Sequence, residues 1–334
     1  MPPSLVDQAE IDQAARLLRA GRLVAFPTET VYGLGVNALD AEAVARIYSV
    51  KRRPATSPLI VHVASIEMAK SLVAAWPETA ARLAKKFWPG PLTLVLPKSR
   101  AGTAALGCPA GQSSVAPSTI PDIVTAGLPT VGLRIPAHPV ARALIEAASI
   151  PLAAPSANRF TQLSPTTADH VRQSLGSEVD LILDGGPCTV GIESTVLSLV
   201  GLRPVLLRPG GISRTELEAI IGPIAEAHEV QAGAHPAPGM HPRHYSPRTA
   251  LYLSTNGTLP AQGQGIYLQH QHSPHRTNII IHQMPVAAAE YAAALYEVLH
   301  QADAGNYEWI AVDLPPGTPE WEAIHDRLKR AATK

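Results

Sequence analysis

The sequence predicts an α/β protein with a larger domain over residues 7–222, a linker over 223–248 and a smaller α/β domain over 249–334. Three observations predict it. Short apolar runs alternate with segments of helical period on both sides of the linker. The 334 residues exceed what one hydrophobic core usually organises. The stretch 234–247, Ala-His-Pro-Ala-Pro-Gly-Met-His-Pro-Arg-His-Tyr-Ser-Pro, follows neither period and reads as extended chain.

Taken in order, Ile11, Ala14, Ala15 and Leu18 recur at helical spacing, and Gly21 stops that helix. Residues 23–26 read as a buried strand ending at Pro27. Asp40 caps a helix that carries Val44, Ile47 and Tyr48 on one face. A strand over 59–63, a helix from Pro77 to Phe87 and a strand over 92–96 follow. Residues 102–121, rich in Ala, Gly, Ser and Pro, are predicted as a mobile surface insertion. Strands then fit 131–135, 152–154, 181–183, 195–199 and 205–207, with helices near 139–148 and 167–175. Ser213 with Glu216 forms a capping box, and Gly222 closes that helix. Beyond the linker, strands at 251–253, 265–268, 278–281 and 309–313 flank helices near 286–302 and 319–331.

Composition removes several functions. No apolar run approaches the ~20 residues of a membrane-spanning helix, and Met1-Pro-Pro-Ser4 lacks the pattern of a secretory signal. Cys108 and Cys188 are too few for a disulfide framework or a thiolate metal site. A cytoplasmic chain is expected. Formal charge balances at 27 Lys+Arg against 27 Asp+Glu, so any polyanion site must be local. P-loop, G-x-G-x-x-G, H-E-x-x-H and G-x-S-x-G motifs are absent. His241 and His244 are spaced like metal ligands, with His235 nearby, but the stretch has no acidic residue or Cys to complete a site.

The chemistry-bearing residues lie where apolar strands run into polar segments, which is where open α/β sheets bind ligands. Residues 24–35 end in Thr28, Glu29, Thr30, Gly33 and Gly35. Lys51, Arg52 and Arg53 form a cationic loop that suits phosphate oxygens or simply faces solvent. Arg134 stands inside an apolar strand and needs an anionic partner, either a structural carboxylate or a ligand's. Ala153-Ala-Pro-Ser-Ala-Asn158, Asp184-Gly-Gly, Gly191-Ile-Glu-Ser-Thr-Val196 and Leu207-Arg-Pro-Gly-Gly-Ile-Ser213 add hydroxyls, glycines and Arg208. No Ser–His or Cys–His nucleophile pairing accompanies them. The set suits binding of an anionic ligand better than covalent catalysis.

These residues resemble the YrdC-like family. The resemblance rests on Phe-Pro-Thr-Glu-Thr-Val-Tyr-Gly-Leu-Gly (26–35), Lys-Arg-Arg-Pro (51–54), Pro-Leu-Ile-Val-His (58–62) and Trp-Pro-Gly-Pro-Leu-Thr (88–93). Arg-Ile-Pro (134–136), Pro-Ser-Ala-Asn (155–158), Ser-Pro-Thr (164–166), Glu-Ser-Thr-Val (193–196) and Arg-Pro-Gly (208–210) extend it, and His-Tyr-Ser-Pro (244–247) is similar to the tail of the long, two-domain members. The chain departs from the family at 159–162, where Arg-Phe-Thr-Gln replaces the usual Ser-Gly.

The resemblance implies a twisted open-sheet α/β domain with a concave basic cavity, joined by the linker to a smaller Rossmann-like domain. The linker would fold back over the cavity. The implied activity condenses L-threonine, bicarbonate and ATP to threonylcarbamoyl-adenylate and pyrophosphate. By motif position Thr30, His62, Arg134, Ser194 and the Ala154 backbone would meet threonine. Lys51, Arg53, Ser57, Thr130, Ser156, Ser164, Arg208 and Tyr245 would meet ATP. No protein metal ligand and no covalent nucleophile are implied, and Mg²⁺ would accompany ATP. The product would serve enzymes that transfer the group to tRNA. Two other readings stay open: an RNA-binding module, and a carbamoyltransferase of the kind found in hydrogenase maturation.

Overall fold

The computed structural model describes residues 6–99, 119–226, 244–276 and 279–332. The predicted insertion therefore lies outside the described residues except for its last three, as do His235, His241 and most of the Pro/His-rich stretch.

The first helix, α1 (Gln8–Arg19), carries a reciprocal capping box between Asp7 and Glu10 and buries the four expected apolar residues. There follow β1 (Val24–Phe26), β2 (Gly33–Asn37), α2 (Ala41–Lys51), β3 (Ile60–His62), α3 (Ile66–Ser71) and α4 (Glu78–Phe87). The order continues with β4 (Leu92–Pro97), α5 (Asp122–Thr125), β5 (Thr130–Arg134), α6 (Pro139–Ala148), β6 (Leu152–Ala153) and α7 (Ala168–Leu175). Next come β7 (Leu181–Ile182), β8 (Thr195–Ser198), β9 (Val205–Arg208), α8 (Arg214–Ile221) and β10 (Ala225–Glu226). These ten strands make one mixed sheet in the order β10-β9-β8-β4-β5-β3-β6-β2-β1-β7.

The rest of the chain forms β11 (Ala250–Ser254), β12 (Gly265–Gln269), β13 (Ile280–Gln283), α9 (Ala288–Ala304), β14 (Trp309–Asp313) and α10 (Glu322–Ala332). Its four strands pair only in parallel, in the order β11-β14-β12-β13. Among the described residues no helix is long and apolar enough to cross a membrane.

Four elements differ from expectation. β2 is not among the expected strands because Gly33 and Gly35 interrupt its pattern, yet it pairs antiparallel with β1. The helices α3 and α5 are too short to show a period. Residues 225–226, inside the predicted linker, pair with β9 as an edge strand.

Two features of the sheet position the site. β3 and β5 run parallel at its centre with His62 in register with Arg134, so both side chains emerge together where the strands end. β8 lies between β4 and β9, which sets Val196 opposite both Thr93 and Arg208.

The two sheets share an apolar interface. Val31, Leu163 and Ile192 from the first region join Tyr245, Leu251, Leu295, Tyr296 and Leu328 in one buried cluster. Gly191 allows the approach: at φ +75° it faces α9, and a Cβ there would lie 2.5 Å from the Ala292 carbonyl oxygen. At the rim His170 of α7 stacks on His300 of α9, with ring centroids 3.7 Å apart. His300 Nε2 lies 3.1 Å from the Ser164 carbonyl oxygen, and His170 Nε2 lies 3.3 Å from Glu297.

Burial pulls both imidazoles down to about 4, so the stacked rings are neutral at neutral pH. In the unfolded chain they protonate near the ordinary value of about 6.5. Their contribution is therefore fully present above that value and is lost as pH falls towards 4. Urea denaturation across this window should give midpoints that fall on acidification, and His300→Gln should flatten the fall. A His300→Gln profile parallel to that of the unaltered chain would contradict this account.

Candidate active site

A hollow of about 50 Å³ lies where β1, β3, β5 and β9 end and β8 begins. Thr28, Thr30, Arg53, His62, Arg134, Ala154, Ser156, Glu193, Ser194, Arg208, His244 and Tyr245 all line it. Stretches more than two hundred residues apart in sequence meet here.

Arg134 anchors one end. It is 3% exposed, and its Nη2 lies 2.7 Å from the Glu29 carboxylate, off the line of a well-aligned hydrogen bond. Nε donates to the Gly90 carbonyl oxygen at 3.2 Å and Nη1 to Thr30 Oγ1 at 2.9 Å. The alternative left open by the sequence is answered for the protein alone: Glu29 is the structural carboxylate. Arg134 still faces the hollow with N–H groups to spare on its terminal nitrogens. Thr28 steadies this corner by donating to the Val31 carbonyl oxygen and sharing a 2.8 Å bond with Thr30. Beside Arg134, burial and the neighbouring guanidinium pull His62 down to about 3, so its imidazole is neutral.

Two further guanidinium groups build the other side. Arg53 donates to Ser57 Oγ at 2.6 Å and to the Pro58 carbonyl oxygen at 2.9 Å. Burial brings it down to about 10, which leaves it cationic at neutral pH. Arg208 donates to the Ser194 carbonyl oxygen through Nε and Nη2 at 3.1 and 2.9 Å, while Ser194 Oγ bonds Thr93 Oγ1 at 2.8 Å. Gly210 makes this corner possible, since a Cβ would sit 2.3 Å from the Thr195 nitrogen and 2.5 Å from the Glu193 carbonyl oxygen.

His244 and Tyr245 complete the lining. Tyr245 is 1% exposed and adopts φ +60°, a left-handed conformation that is costly for a bulky residue. His244 packs edge-on against Tyr245 and Phe160, and burial holds its imidazole neutral. Five polar atoms on the lining, Arg53 Nε, His62 Nδ1, Arg134 Nη2, His244 Nδ1 and Tyr245 OH, are buried without a hydrogen-bond partner in the protein. Buried polar groups are normally paired, so a concentration of orphans in one polar hollow marks a place built to take a ligand.

Nine of the thirteen residues expected from the sequence line the hollow, and four stand behind it. The Lys51 ammonium donates to the carbonyl oxygens of Ser156 and Asn158 and fixes that loop rather than entering the hollow. Ser57 supports Arg53. Thr130 lines an adjoining recess that shares the Ile60 wall. Ser164 donates to Glu193 at 2.5 Å and is fully buried. The departure at 159–162 puts Phe160 against His244 and 5.9 Å from the Arg53 guanidinium carbon. Sequence reasoning assigned no role to Glu193, His244 or Phe160. Glu193 and His244 had visible signals, their places in the Glu-Ser-Thr-Val and His-Tyr-Ser-Pro runs.

Among the described residues no group of three or more His, Cys, Asp or Glu could hold an ion. The nearby carboxylates are already engaged, Glu29 by Arg134 and Glu193 by Arg327. The protein groups do not fit a resident metal.

Fold and site together define a two-sheet α/β protein whose larger sheet encloses a cation-lined ligand cavity at its strand ends. The chain belongs to the Sua5/YciO/YrdC family: residues 16–210 match that family's model, described as "Telomere recombination". Residues 212–333 match a second model, "Threonylcarbamoyl-AMP synthase, C-terminal domain". The chain is 40% identical to the threonylcarbamoyl-AMP synthase of Bacillus subtilis, covering 97% of this chain and 93% of that one. It is 48% identical to that of Pyrococcus abyssi over 74% of this chain and 68% of that one. The crystal structure of P. abyssi Sua5 complexed with L-threonine superposes with a TM-score of 0.86 at 37% identity, covering 98% of this chain and 95% of that one.

Gly210→Ala is expected to overpack the Ser194 corner and lower unfolding free energy by about 1–3 kcal/mol. Denaturant titration measures it; an unchanged midpoint would show that the corner can yield.

Proposed function

We propose that this chain is an L-threonylcarbamoyladenylate synthase, a nucleotidyltransferase that condenses L-threonine, bicarbonate and ATP to threonylcarbamoyl-AMP, pyrophosphate and water. The observation that carries it is one hollow in which Arg134, Thr30, His62 and Ser194 stand beside Arg53, Arg208 and Tyr245. One set suits an amino acid, the other a nucleotide. The relatives named threonylcarbamoyl-AMP synthase, and the threonine complex of P. abyssi Sua5, support the same reading.

In this reading the spare N–H groups of Arg134 take the threonine carboxylate as a planar fork. Neutral His62, Thr30, Ser194 and the Ala154 backbone shape the rest of the amino-acid pocket. The threonine amine attacks bicarbonate, or carbon dioxide derived from it, to give a carbamate. A carbamate oxygen then attacks the α-phosphorus of ATP, and pyrophosphate leaves. No protein nucleophile takes part, so acceleration comes from juxtaposition, which can supply up to about 7–11 kcal/mol, and from cations placed against phosphate charge. Arg53 and Arg208 bind phosphate oxygens directly, together with Ser156 and Tyr245. Lys51, Ser57 and Ser164 act from behind, and Thr130 from the neighbouring recess. Mg²⁺ arrives with ATP as part of the substrate.

The hollow of about 50 Å³ is far below the ~300–1,000 Å³ typical of ligand pockets. In this reading His244 and Tyr245 swing outward to admit ATP. The left-handed strain at Tyr245, about 1–3 kcal/mol, eases that movement. Closed again, they keep water from the mixed anhydride. Catalysis is assigned to residues 7–222, cover to 223–248, and a Rossmann-like supporting role to 249–334, in line with its all-parallel sheet. The product passes to enzymes that modify tRNA, in a reducing cytoplasm.

Incubation with labelled bicarbonate, ATP and each amino acid, read by mass spectrometry, tests the reaction. A labelled adenylate should form with threonine; none forming would reject the assignment. Arg134→Ala should lower kcat/KM for threonine by about 2–5 kcal/mol, roughly 30-fold or more, because it removes one partner of a buried charge pair. Near-normal turnover by folded Arg134→Ala would remove the carboxylate role.

A further inference from the structure

The smaller sheet's helices send two side chains into the wall of the hollow. Arg327 of α10 is 1% exposed, and its Nε donates to Glu193 Oε2 at 2.7 Å. Its Nη2 donates to the Pro209 carbonyl oxygen at 3.0 Å, and the guanidinium carbon lies 5.1 Å from the centre of the Tyr245 ring. Tyr296 of α9, fully buried, donates to the same carboxylate at 3.1 Å. With Ser164 donating to Oε1, the Glu193 carboxylate is held from three directions, two of them belonging to α9 and α10.

A contact serving only to join the two regions could end anywhere on their shared face. These end on the residues next in sequence to Ser194 and Arg208, and on Tyr245. Glu193 precedes Ser194, whose carbonyl oxygen accepts two bonds from Arg208. Pro209 follows Arg208. The path runs from Arg327 through Glu193 and Pro209 to both sides of the Ser194–Arg208 corner. Gly210, packed against the Thr195 nitrogen and the Glu193 carbonyl oxygen, leaves that corner no slack.

We propose that Arg327 and Tyr296 are positioning residues for the reaction: by fixing Glu193 and Pro209 they set where Ser194 and Arg208 present their donors to the ligands. The residues after 249 thus brace the active-site wall from behind. The inference rests on the adenylate-forming reading for its substrates.

The test uses the full chain with Arg327→Lys, Tyr296→Phe and Arg208→Lys, singly and combined, each checked for native circular dichroism at the assay temperature. Arg327→Lys keeps the charge and loses the two-pronged grip on Glu193 and Pro209. KM for ATP should rise about tenfold or more in Arg327→Lys and about threefold in Tyr296→Phe. In the Arg208→Lys background the same changes should add less than about twofold, because residues acting through one another are not additive. A merely structural role would instead lower the thermal midpoint and leave ATP KM per folded molecule unchanged.

Unchanged KM in folded Arg327→Lys, or losses that multiply fully in the double variant, would overturn the proposal. Should Arg327→Lys fail to fold, Tyr296→Phe carries the same cycle, and an unchanged KM there is equally decisive. If the unaltered chain binds ATP but makes no adenylate, the functional reading fails. ATP affinities from calorimetry then still decide the positioning claim.

Discussion

Guanidinium groups taken out of water are the constraint around which this structure is arranged. Arg53, Arg134, Arg208 and Arg327 are each no more than 7% exposed, in a chain whose formal charge is zero. Burying a cation is tolerable only when its lost hydration is replaced. Here backbone carbonyl oxygens do much of this: Pro58 for Arg53, Gly90 for Arg134, Ser194 for Arg208 and Pro209 for Arg327. Those carbonyls belong to loops at strand ends, where the ladder no longer uses them. Glu29 and Glu193 add carboxylates to two of the four. Cationic charge is thereby concentrated in one place in a molecule that has none in excess.

The same arrangement explains why two sheets are joined so closely. A wall made of loops has little rigidity of its own, and functional geometry is best held by packed elements. Gly191 lets α9 come within backbone contact of the Glu193 loop, and Gly210 lets the Arg208 loop close on it from the other side. Glu193 then becomes a fixed point shared by both regions, gripped from α9 and α10 and from Ser164. Its carboxyl shows the balance. Burial pushes it up, but Arg327 and Arg208 outweigh that and hold it below the ordinary carboxylate range.

Much of the fold was legible because its signals are local. The capping box at Ser213 and the cap at Asp40 formed as read, and the helix over Pro139–Ala148 has the expected bounds. β2 was not legible, since Gly33 and Gly35 serve close packing against Phe26 and disguise a strand as a turn. In the site, motif positions identified most of the lining. They could not separate residues that face the hollow from those one layer behind. Lys51 and Arg53 lie two apart in a single basic loop, yet one ends on carbonyl oxygens and the other on the cavity.

By itself the sequence determined the alternation of helices and strands, the family, and the polar strand ends where ligands belong. Those properties depend on neighbours a few residues apart, or on ordered motifs. Only the tertiary structure decided that His62 stands in register with Arg134, that Glu29 partners Arg134, and that Arg327 reaches Glu193 across 134 positions. Arg327 sits in a helix with ordinary amphipathic spacing, and nothing near it in sequence distinguishes it from a surface arginine. Its burial follows from sheet order and from the approach of α10 to the first region, and these are set by packing between distant parts of the chain.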